Sequence, residues 1–443
     1  MRMRPPMNIL AAVFACVTAS AFAEAVKDRE GAVRKDRETM ENDGRWIYND
    51  VERGFAEAAN SKKPLLVVLR CVPCIACAGM DAAVLSDASL APVLDRFVCV
   101  RLINANALDL QRFQFDYDLS FSAMIFAADG AVLGRFGSWT HQKDAQNTTT
   151  AGLRATLDAA VALHRGYPAN KAALSGKQGG AMPFKTPVEF PALSGKYRSG
   201  LDWEGKVVQS CVHCHQIGDA LRTFYRDAGR PVPAELIYPM PASETLGFSL
   251  SPDHAARVAS VSDGSAAAVA GIREGDEIAG IAGQPVVSIA DVSWALHRAP
   301  AAGVIPVVLQ RGGKPVNLAL KLADGWRRNS DISRRVGTWP MRAMATGGMV
   351  LEEVADDARK AQGIALAKLA LRVKGLGQFG KHAAAKNAGV QKEDIIVSVD
   401  GDDARRTEGE LIGWLLERRK AGEKVPVAVL RGTSRFELTL PMQ

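Results

Sequence analysis

The sequence predicts a multidomain protein that is α/β in its first half and mainly β in its second half. A buried-strand pattern at residues 64–69 leads directly into a cluster of cysteines and then into a helical pattern. A C-x-x-C-H motif follows at residues 211–215. Because two blocks of the second half recur in the same order, that half is predicted to contain a duplicated domain. The recurring blocks are 270–278 with 388–396 and 304–312 with 424–432.

Length and charge limit the classes of function. At 443 residues the chain is too long for one hydrophobic core, because domains usually have about 150 residues. The formal net charge is +7, but the basic residues are dispersed along the chain. Dispersed charge predicts a solvated surface and argues against a nucleic-acid-binding stripe.

The first residues are typical of a secretion signal. Arg2 and Arg4 precede an apolar stretch at 7–21, which ends in an A-x-A cleavage site. This stretch is shorter than the roughly 20 residues that a transmembrane helix needs, and no later segment is apolar enough for a span. We therefore predict a signal peptide over 1–23 and a periplasmic or secreted protein, in a compartment where disulfides persist.

The cysteines that remain after residue 23 are clustered. Structural disulfides usually connect distant segments, so clustering favours redox or cofactor sites. Cys99 lies in a β-branched strand pattern and is interpreted as a core residue. The two clusters are Cys71, Cys74 and Cys77, and Cys211 and Cys214.

The first folded unit is predicted over residues 46–165, after a charged, flexible segment at 24–45. Its order of strands and helices resembles the thioredoxin fold. The resemblance implies an active C-x-x-C at Cys74 and Cys77, with Cys74 as the attacking thiol and Cys77 as the resolving thiol. A thiol at a helix N-terminus has its thiolate stabilised by the unpaired N–H groups of the first turn.

Two features of this unit depart from thioredoxins. Cys71 adds a third thiol, which could exchange disulfides with the other two or help bind a soft metal. Ser122 stands where thioredoxins have a cis-proline beside the active site, so general disulfide reductase activity is less firmly expected than the fold. The alternative for the cluster is one structural disulfide plus a spare thiol.

The C-x-x-C-H motif has the spacing that attaches a c-type haem. In that reading Cys211 and Cys214 bond to the porphyrin, and His215 ligates the haem iron. Met240 is the candidate sixth ligand, with His213 a weaker one. The alternatives are a Cys211–Cys214 disulfide or thiol pair and a Cys/His metal site. Tetrahedral zinc is the least favoured of these, because its ligands usually come from two separate segments.

The segments around this motif are interpreted from composition. Residues 166–200 are rich in Gly, Pro, Ser and Lys and are predicted to be a linker. Residues 201–240 are predicted to be a short helical segment, which resembles the haem-site helix of cytochromes c. The segment is shorter than a free-standing cytochrome.

The duplicated unit resembles the PDZ domain. We predict one copy at 241–323 and a second at 361–443, joined by a connector over 324–360. In the first copy the resemblance implies that the backbone N–H groups of Leu246, Gly247 and Phe248 hold a peptide's terminal carboxylate. In the second copy Gly363 and Ile364 take that place. The peptide would add a strand to the sheet edge, beside the helix predicted at 289–297. The alternative for either copy is a PDZ fold used only for packing.

The whole arrangement resembles a bacterial family of exported thioredoxin-like/PDZ proteins, some of which carry selenocysteine. Exported PDZ pairs often follow a serine protease domain, but no G-x-S-x-G motif occurs here, so protease activity is not expected. The predicted function is thiol–disulfide exchange, with electron transfer if haem c is attached and with protein partners or peptide termini bound by the PDZ domains. The alternative is a non-enzymatic envelope scaffold with structural cysteines.

Overall fold

The computed structural model describes residues 28–70, 72, 85, 87–119, 121–137, 149–333 and 335–443. The predicted signal peptide and three predicted active cysteines, Cys71, Cys74 and Cys77, lie outside these ranges. No helix within them is both long enough and apolar enough to cross a membrane.

The N-terminal unit is built on a five-stranded sheet with strand order β1-β3-β2-β4-β5. Its central strand β2 is buried at every position, as the apolar run at 64–69 predicts. Strands β1 and β2 run parallel to β3, whereas β4 and β5 form antiparallel pairs. The strands are β1 (Trp46–Tyr48), β2 (Leu65–Arg70), β3 (Val98–Leu102), β4 (Phe121–Phe126) and β5 (Val132–Phe136).

Helices cover this sheet, and one of them corrects an expectation. The charged segment predicted as flexible contains a 13-residue helix, α1. Asp36 of α1 accepts hydrogen bonds from Tyr48 Oη at 3.1 Å and from Arg101 Nε at 3.3 Å. These partly buried partners hold α1 against the sheet, although its composition resembles that of a solvated segment. The helices are α1 (Arg29–Glu41), α2 (Val51–Ser61), α3 (Ala91–Leu94) and α4 (Thr150–Arg165), with a 3₁₀ turn at Ala88–Leu90.

The segment predicted as a linker is an ordered strap. It has 3₁₀ turns at Lys171–Lys177 and Pro187–Glu189, and Lys177 is completely buried. Three helices follow, and the second of them starts inside the C-x-x-C-H motif. They are α5 (Val207–Ser210), α6 (Cys214–Asp227) and α7 (Ala234–Ile237).

The first copy of the duplicated unit has a two-stranded sheet, β6-β7, and a four-stranded sheet in the order β11-β10-β8-β9. Its helix α9 agrees with the helix predicted at 289–297 to within one residue. A 3₁₀ turn at Ser243–Leu246 precedes the first strand. The elements are β6 (Phe248–Leu250), β7 (Val258–Val261), α8 (Ala266–Ala270), β8 (Glu277–Ile281), β9 (Gln284–Pro285), α9 (Ile289–Arg298), β10 (Gly303–Arg311) and β11 (Lys314–Leu322).

The C-terminal unit is one five-stranded sheet in the order β12-β13-β14-β15-β16. It starts earlier than the predicted boundary at residue 361, because β12 pairs with β13 across the intervening loop. 3₁₀ turns lie at Trp326–Asn329 and Gly380–Ala383. The elements are α10 (Thr338–Thr346), β12 (Met349–Glu353), α11 (Asp356–Ala361), β13 (Leu371–Leu376), α12 (Ala384–Asn387), β14 (Ile395–Val399), α13 (Glu408–Arg418), β15 (Lys424–Arg431) and β16 (Ser434–Pro441).

An ion pair repeats at equivalent places in the two copies. Arg311 Nε lies 2.7 Å from Asp276 Oδ1, and the same guanidinium donates to the Gly271 carbonyl oxygen at 2.7 Å. In the C-terminal unit Arg431 Nε lies 2.8 Å from Asp394 Oδ1 and Arg431 donates to the Gly389 carbonyl oxygen at 2.9 Å. The recurrence of sequence blocks therefore corresponds to a recurrence of tertiary contacts.

Candidate functional site

A cavity of about 330 Å³ lies where the N-terminal sheet meets the C-x-x-C-H motif. The sheet contributes the ends of β2 and β3, and the motif contributes four consecutive residues. The connector between the two copies adds one side chain, so three parts of the chain build one site. The lining residues are Arg29, Leu69, Arg70, Leu102, Ile103, Asn104, Asp118, Leu119, Val212, His213, Cys214, His215 and Val336.

The cavity adjoins the first cysteine cluster in the sequence. Arg70 is the last residue of β2 and lines the cavity, and Cys71 follows it directly. Val72 is buried in a small cluster that includes Val207, the first residue of α5. Since α5 ends at the residue before Cys211, the segments that carry both cysteine clusters are packed together at Val72.

Cys214 is the first residue of α6 and is half-buried against the hydrophobic core of the N-terminal unit. Gln216 fixes this turn, because its Oε1 accepts the His213 N–H at 2.8 Å and its Nε2 donates to Tyr197 Oη at 2.9 Å. The N–H groups at a helix start favour a negative charge. Cys214 therefore lies at the positive end of the α6 dipole.

Two histidines flank Cys214. Their rings are stacked, with centroids 5.9 Å apart and an interplanar angle of 4°. Burial, together with the nearby His215 and Arg29, lowers the pKa of His213 to about 4, so this imidazole is neutral at neutral pH. His215 is more exposed, and its Nδ1 lies 3.7 Å from Asp219 Oδ2. An imidazole with so low a pKa is a weak base, so His213 is poorly suited to take the proton of the Cys214 thiol.

Asn106 holds the motif, and sequence reasoning missed it. This completely buried residue accepts the Val212 N–H at 2.7 Å and donates to the Ser210 carbonyl oxygen at 2.8 Å. It thus binds the backbone on both sides of Cys211. The Ala105 N–H adds a hydrogen bond of 3.0 Å to the Val212 carbonyl oxygen. Nothing in the local sequence around Asn106 signals this long-range contact.

A buried ion network lies beside the cavity. Arg335 of the connector pairs with both Asp116 and Asp118 of the N-terminal unit. Arg222 of α6 lies 3.9 Å from Asp118. Burial raises the pKa of Asp116 to about 6, although Arg335 opposes the shift. Burial acts in the same direction on Asp118, but the two guanidiniums outweigh it and hold the pKa of that carboxyl below its usual value.

The residues predicted to hold haem do not converge on one cavity. Cys211 is buried, its Sγ donates to the Val207 carbonyl oxygen at 3.2 Å, and it does not line the cavity of Cys214 and His215. Met240 lines two other cavities, of about 20 and 80 Å³. As arranged, these residues do not fit a haem c, and Met240 is not placed as a partner ligand to His215. Haem attachment stays a prediction.

No metal cluster is evident either. Within the described ranges no group of three or more His, Cys, Asp or Glu side chains is placed to hold a metal ion.

Strand β6 has one edge that is not used by its partner β7. The Gly247 carbonyl oxygen accepts the Ser262 N–H, and the Ser251 N–H donates to Arg257. Because hydrogen bonding alternates along an antiparallel pair, Phe248 and Leu250 direct their backbone groups to the other edge. An added peptide strand would bond to these groups.

The loop before β6 corrects part of the carboxylate-binding prediction. The Gly247 N–H donates to the Glu244 carbonyl oxygen at 3.0 Å and is therefore occupied within the loop. Gly247 has φ +87°, and a Cβ there would lie 2.1 Å from Ser265 Cβ, so this turn requires glycine. A terminal carboxylate would have to displace the internal bond to reach this donor.

Helix α9, predicted to line the peptide groove, also docks on the N-terminal unit. Asp291 forms a completely buried ion pair with Lys177 of the strap and accepts the Arg135 N–H of β5 at 3.2 Å. Trp294 Nε1 donates to the Gly176 carbonyl oxygen at 2.8 Å. The Arg135 guanidinium lies 3.8 Å from the Trp294 ring centroid. One face of the helix is thus committed to an interdomain contact.

In the C-terminal unit the predicted loop was wrong. Gly363 and Ile364 lie after α11, between β12 and β13, and their N–H groups donate to the carbonyl oxygens of Lys360 and Arg359. The loop equivalent to Leu246–Gly247 is Gly347–Gly348, which directly precedes β12. The prediction failed because α10, within the predicted connector, is part of this unit.

Comparison with protein-family models identifies two of these units. A thioredoxin-like model matches residues 46–128. This range includes β1 to β4, and the ends of β2 and β3 form part of the cavity wall. A PDZ-domain model matches residues 235–310, which include β6 to β9 and all of β10 except its last residue. The chain contains a thioredoxin-like domain and a PDZ domain. A thioredoxin-like domain suggests redox chemistry, and a PDZ domain implies a peptide or protein partner.

Solved structures match only parts of the chain, and no curated protein matches it. The HtrA-type protease AlgW, with a decapeptide and with a tripeptide, is 21% identical over 21% of this chain, with a TM-score of 0.18 in each case. An aminopeptidase N family protein from Idiomarina loihiensis is 22% identical over 22%, with a TM-score of 0.17. The matched regions span 27%, 29% and 13% of those chains.

Proposed function

We propose that the protein is an exported thiol–disulfide oxidoreductase in which the thioredoxin-like domain carries the chemistry and the PDZ domain holds a protein partner. One observation carries the proposal. Arg70, which directly precedes the first cysteine cluster, lines the same cavity as Cys214 and the neutral His213. The chain therefore enters the first cysteine cluster at the wall of the cavity that Cys214 also lines.

The proposed reaction is a two-electron exchange. The Cys74 thiolate attacks one sulfur of a client disulfide, and the other client sulfur leaves as a thiolate. Cys77 then attacks the mixed disulfide, which releases the client as two thiols and leaves one disulfide in the protein. Cys71 and Cys214 are the thiols proposed to receive that disulfide by further exchange. Cys214 suits this role because it stands at the N-terminus of α6 and lines the cavity that Arg70 also lines.

Two further assignments belong to this proposal. The C-terminal unit is a second PDZ-like domain, supported by its equivalent order of elements and by the recurring Arg311–Asp276 and Arg431–Asp394 pairs. The protein works in the periplasm or outside the cell, supported by the signal-like pattern at 1–23.

A measured reduction potential tests the proposal. For the Cys74–Cys77 pair we expect a value of roughly −270 to −180 mV, as in exchanging thiol pairs, whereas a structural bond lies below about −300 mV. A Cys74→Ser variant should lose the reduction of a disulfide substrate. Cys99→Ser is the matched control, because burial raises the pKa of the Cys99 thiol to about 12 and keeps it inert. Undiminished activity in Cys74→Ser would favour the scaffold alternative.

Covalent haem is tested separately by visible absorption of the denatured protein from a host with haem c maturation. A Soret band lost in the Cys211→Ala/Cys214→Ala variant would show attachment. A colourless protein would leave Cys211 and Cys214 as a second thiol pair.

A further inference from the structure

Apolar side chains are exposed beside the mouth of the thiol cavity. Val336 lines the cavity and is nevertheless 42% exposed. Trp339 follows three residues later, at the start of α10, and is 46% exposed. Side chains three residues apart on a helical turn lie on one side of it. The apolar surface therefore continues from the cavity onto α10.

A second aromatic side chain extends this surface. The Trp339 ring stacks on His382, with centroids 4.5 Å apart and an interplanar angle of 15°. His382 lies in the 3₁₀ turn Gly380–Ala383, and Phe379 stands immediately before that turn. Phe379 is 86% exposed, the largest exposed fraction among the large hydrophobic side chains in the described ranges. We call Val336, Trp339 and Phe379 the apolar strip.

Apolar side chains exposed singly are common on protein surfaces, but a continuous exposed apolar surface marks an interaction site. Aromatic anchors of this kind are enriched in protein interfaces. The strip ends at the cavity that Cys214 lines, so a chain lying along it reaches Cys214. Disulfides of incompletely folded proteins are flanked by apolar segments that native proteins bury. An exposed apolar strip that ends at a cysteine therefore fits an apolar protein segment that carries a disulfide.

The thioredoxin-like domain also needs such a surface. Ser122 replaces the cis-proline that shapes the substrate groove in thioredoxins, and it is 3% exposed. Ser122 lines the cavity of about 20 Å³ that Ala290 and Ser293 of α9 also line, rather than the thiol cavity. The residue at the cis-proline position therefore does not line the cavity of Cys214, whereas Val336 of the apolar strip does.

We propose that the apolar strip is the docking surface for an extended, apolar, disulfide-bearing segment of an incompletely folded client protein. This proposal rests on the proposed thiol–disulfide exchange, since the strip matters for catalysis only if the adjacent thiols react. It makes the C-terminal unit part of the substrate site of the thioredoxin-like domain.

The test compares two substrates in the full chain. We expect Phe379→Ser and Trp339→Gln, singly and together, to raise the KM for an unfolded protein with scrambled disulfides about tenfold, as for truncated interface anchors. The KM for a small aromatic disulfide should change less than twofold, because such a molecule needs no strip. Phe436→Ser is the matched control, since Phe436 is 40% exposed on β16, at the other edge of the same sheet.

A binding measurement separates this proposal from the proposed function. Fluorescence anisotropy of a labelled, unfolded client without cysteines needs no thiol chemistry, and its affinity should fall about tenfold in Phe379→Ser. If the wild type reduces neither substrate but binds this client through Phe379, the exchange reaction is wrong and the docking surface stands. The docking surface would be overturned if Phe436→Ser lost as much client affinity as Phe379→Ser, or if Phe379→Ser left client affinity unchanged. It would also be overturned if Phe379→Ser weakened only binding to anionic lipid vesicles.

Discussion

Glu408 of α13 accepts the backbone N–H of Leu351 in β12 at 2.8 Å. Arg342 of α10 holds the same carboxylate through two hydrogen bonds, of 2.9 and 2.6 Å. The Leu351 N–H, a donor on the outer edge of the C-terminal sheet, is therefore already bonded within the chain. Strand β6, in contrast, keeps one edge with its backbone groups directed away from β7. The outer strand edges of the two units are therefore not equivalent.

Glu408→Ala should destabilise the protein by about 2–4 kcal/mol, because it leaves the Leu351 N–H and the Arg342 guanidinium without their buried partner. Chemical denaturation followed by fluorescence measures the change. The matched control is Glu437→Ala, whose exposed pair with Arg435 should contribute less than about 1 kcal/mol. Equal, small effects would show that the edge is not held by Glu408.

Peptide binding should occur at one site per chain. Strand addition requires an edge with available backbone groups, which β6 provides and which β12 loses to Glu408. Isothermal titration with a peptide ligand selected for binding to the full chain measures the stoichiometry. A value of two would contradict closure of the second groove. One site that survived deletion of residues 241–323, in a chain that still folds, would contradict the assignment to β6.

We expect the buried pair of Lys177 and Asp291 to affect stability mainly because each charge neutralises the other. Asp291→Ala leaves the completely buried Lys177 without its partner, so we expect a loss of about 3–5 kcal/mol. Lys177→Met/Asp291→Ala removes both charges and should lose less than the sum of the Lys177→Met and Asp291→Ala losses. Urea denaturation of the four proteins in this cycle gives the coupling free energy. Additive losses would contradict a direct interaction.

Stability should fall as the pH falls from about 6.5 to 4 because of His213. The folded state holds the pKa of this imidazole near 4, below its ordinary 6.5, so the unfolded chain binds more protons in that window. The contribution is on the order of 2–3 kcal/mol and is complete above pH 6.5. His213→Gln should reduce the difference in unfolding free energy between pH 7 and pH 4.5. An unchanged difference in His213→Gln would show that another group sets this pH dependence.

Local patterns were sufficient to predict much of the fold. The apolar run at 64–69 corresponds to β2, and the helix expected at 289–297 corresponds to α9. Both follow from short-range periodicity, which the sequence displays directly. Helix α1 was missed because its fixing contacts depend on Asp36 reaching Tyr48 and Arg101, which no local pattern reveals.

The sequence was sufficient to predict the reactive residues of the candidate site but not the residues that support them. The cysteines and histidines of the motif stand out by spacing, but their supports come from elsewhere in the chain. Asn106 is about a hundred residues from the backbone it binds, and Arg335 is over two hundred from Asp116 and Asp118. The misplaced loop at Gly363 has the same origin, since α10 carries no sequence sign of the sheet it joins.

The ion network around Arg335 also limits which parts of this chain could be exchanged during evolution. Asp116 and Asp118 lie in the thioredoxin-like domain, Arg222 in the motif helix, and Arg335 in the connector to the C-terminal unit. Exchanging any one of these parts for an unrelated module would leave buried charges without counterparts. Domain shuffling, which is common for thioredoxin-like and PDZ modules, is thereby penalised here. The parts are expected to be inherited together, with substitutions at these four positions occurring in concert.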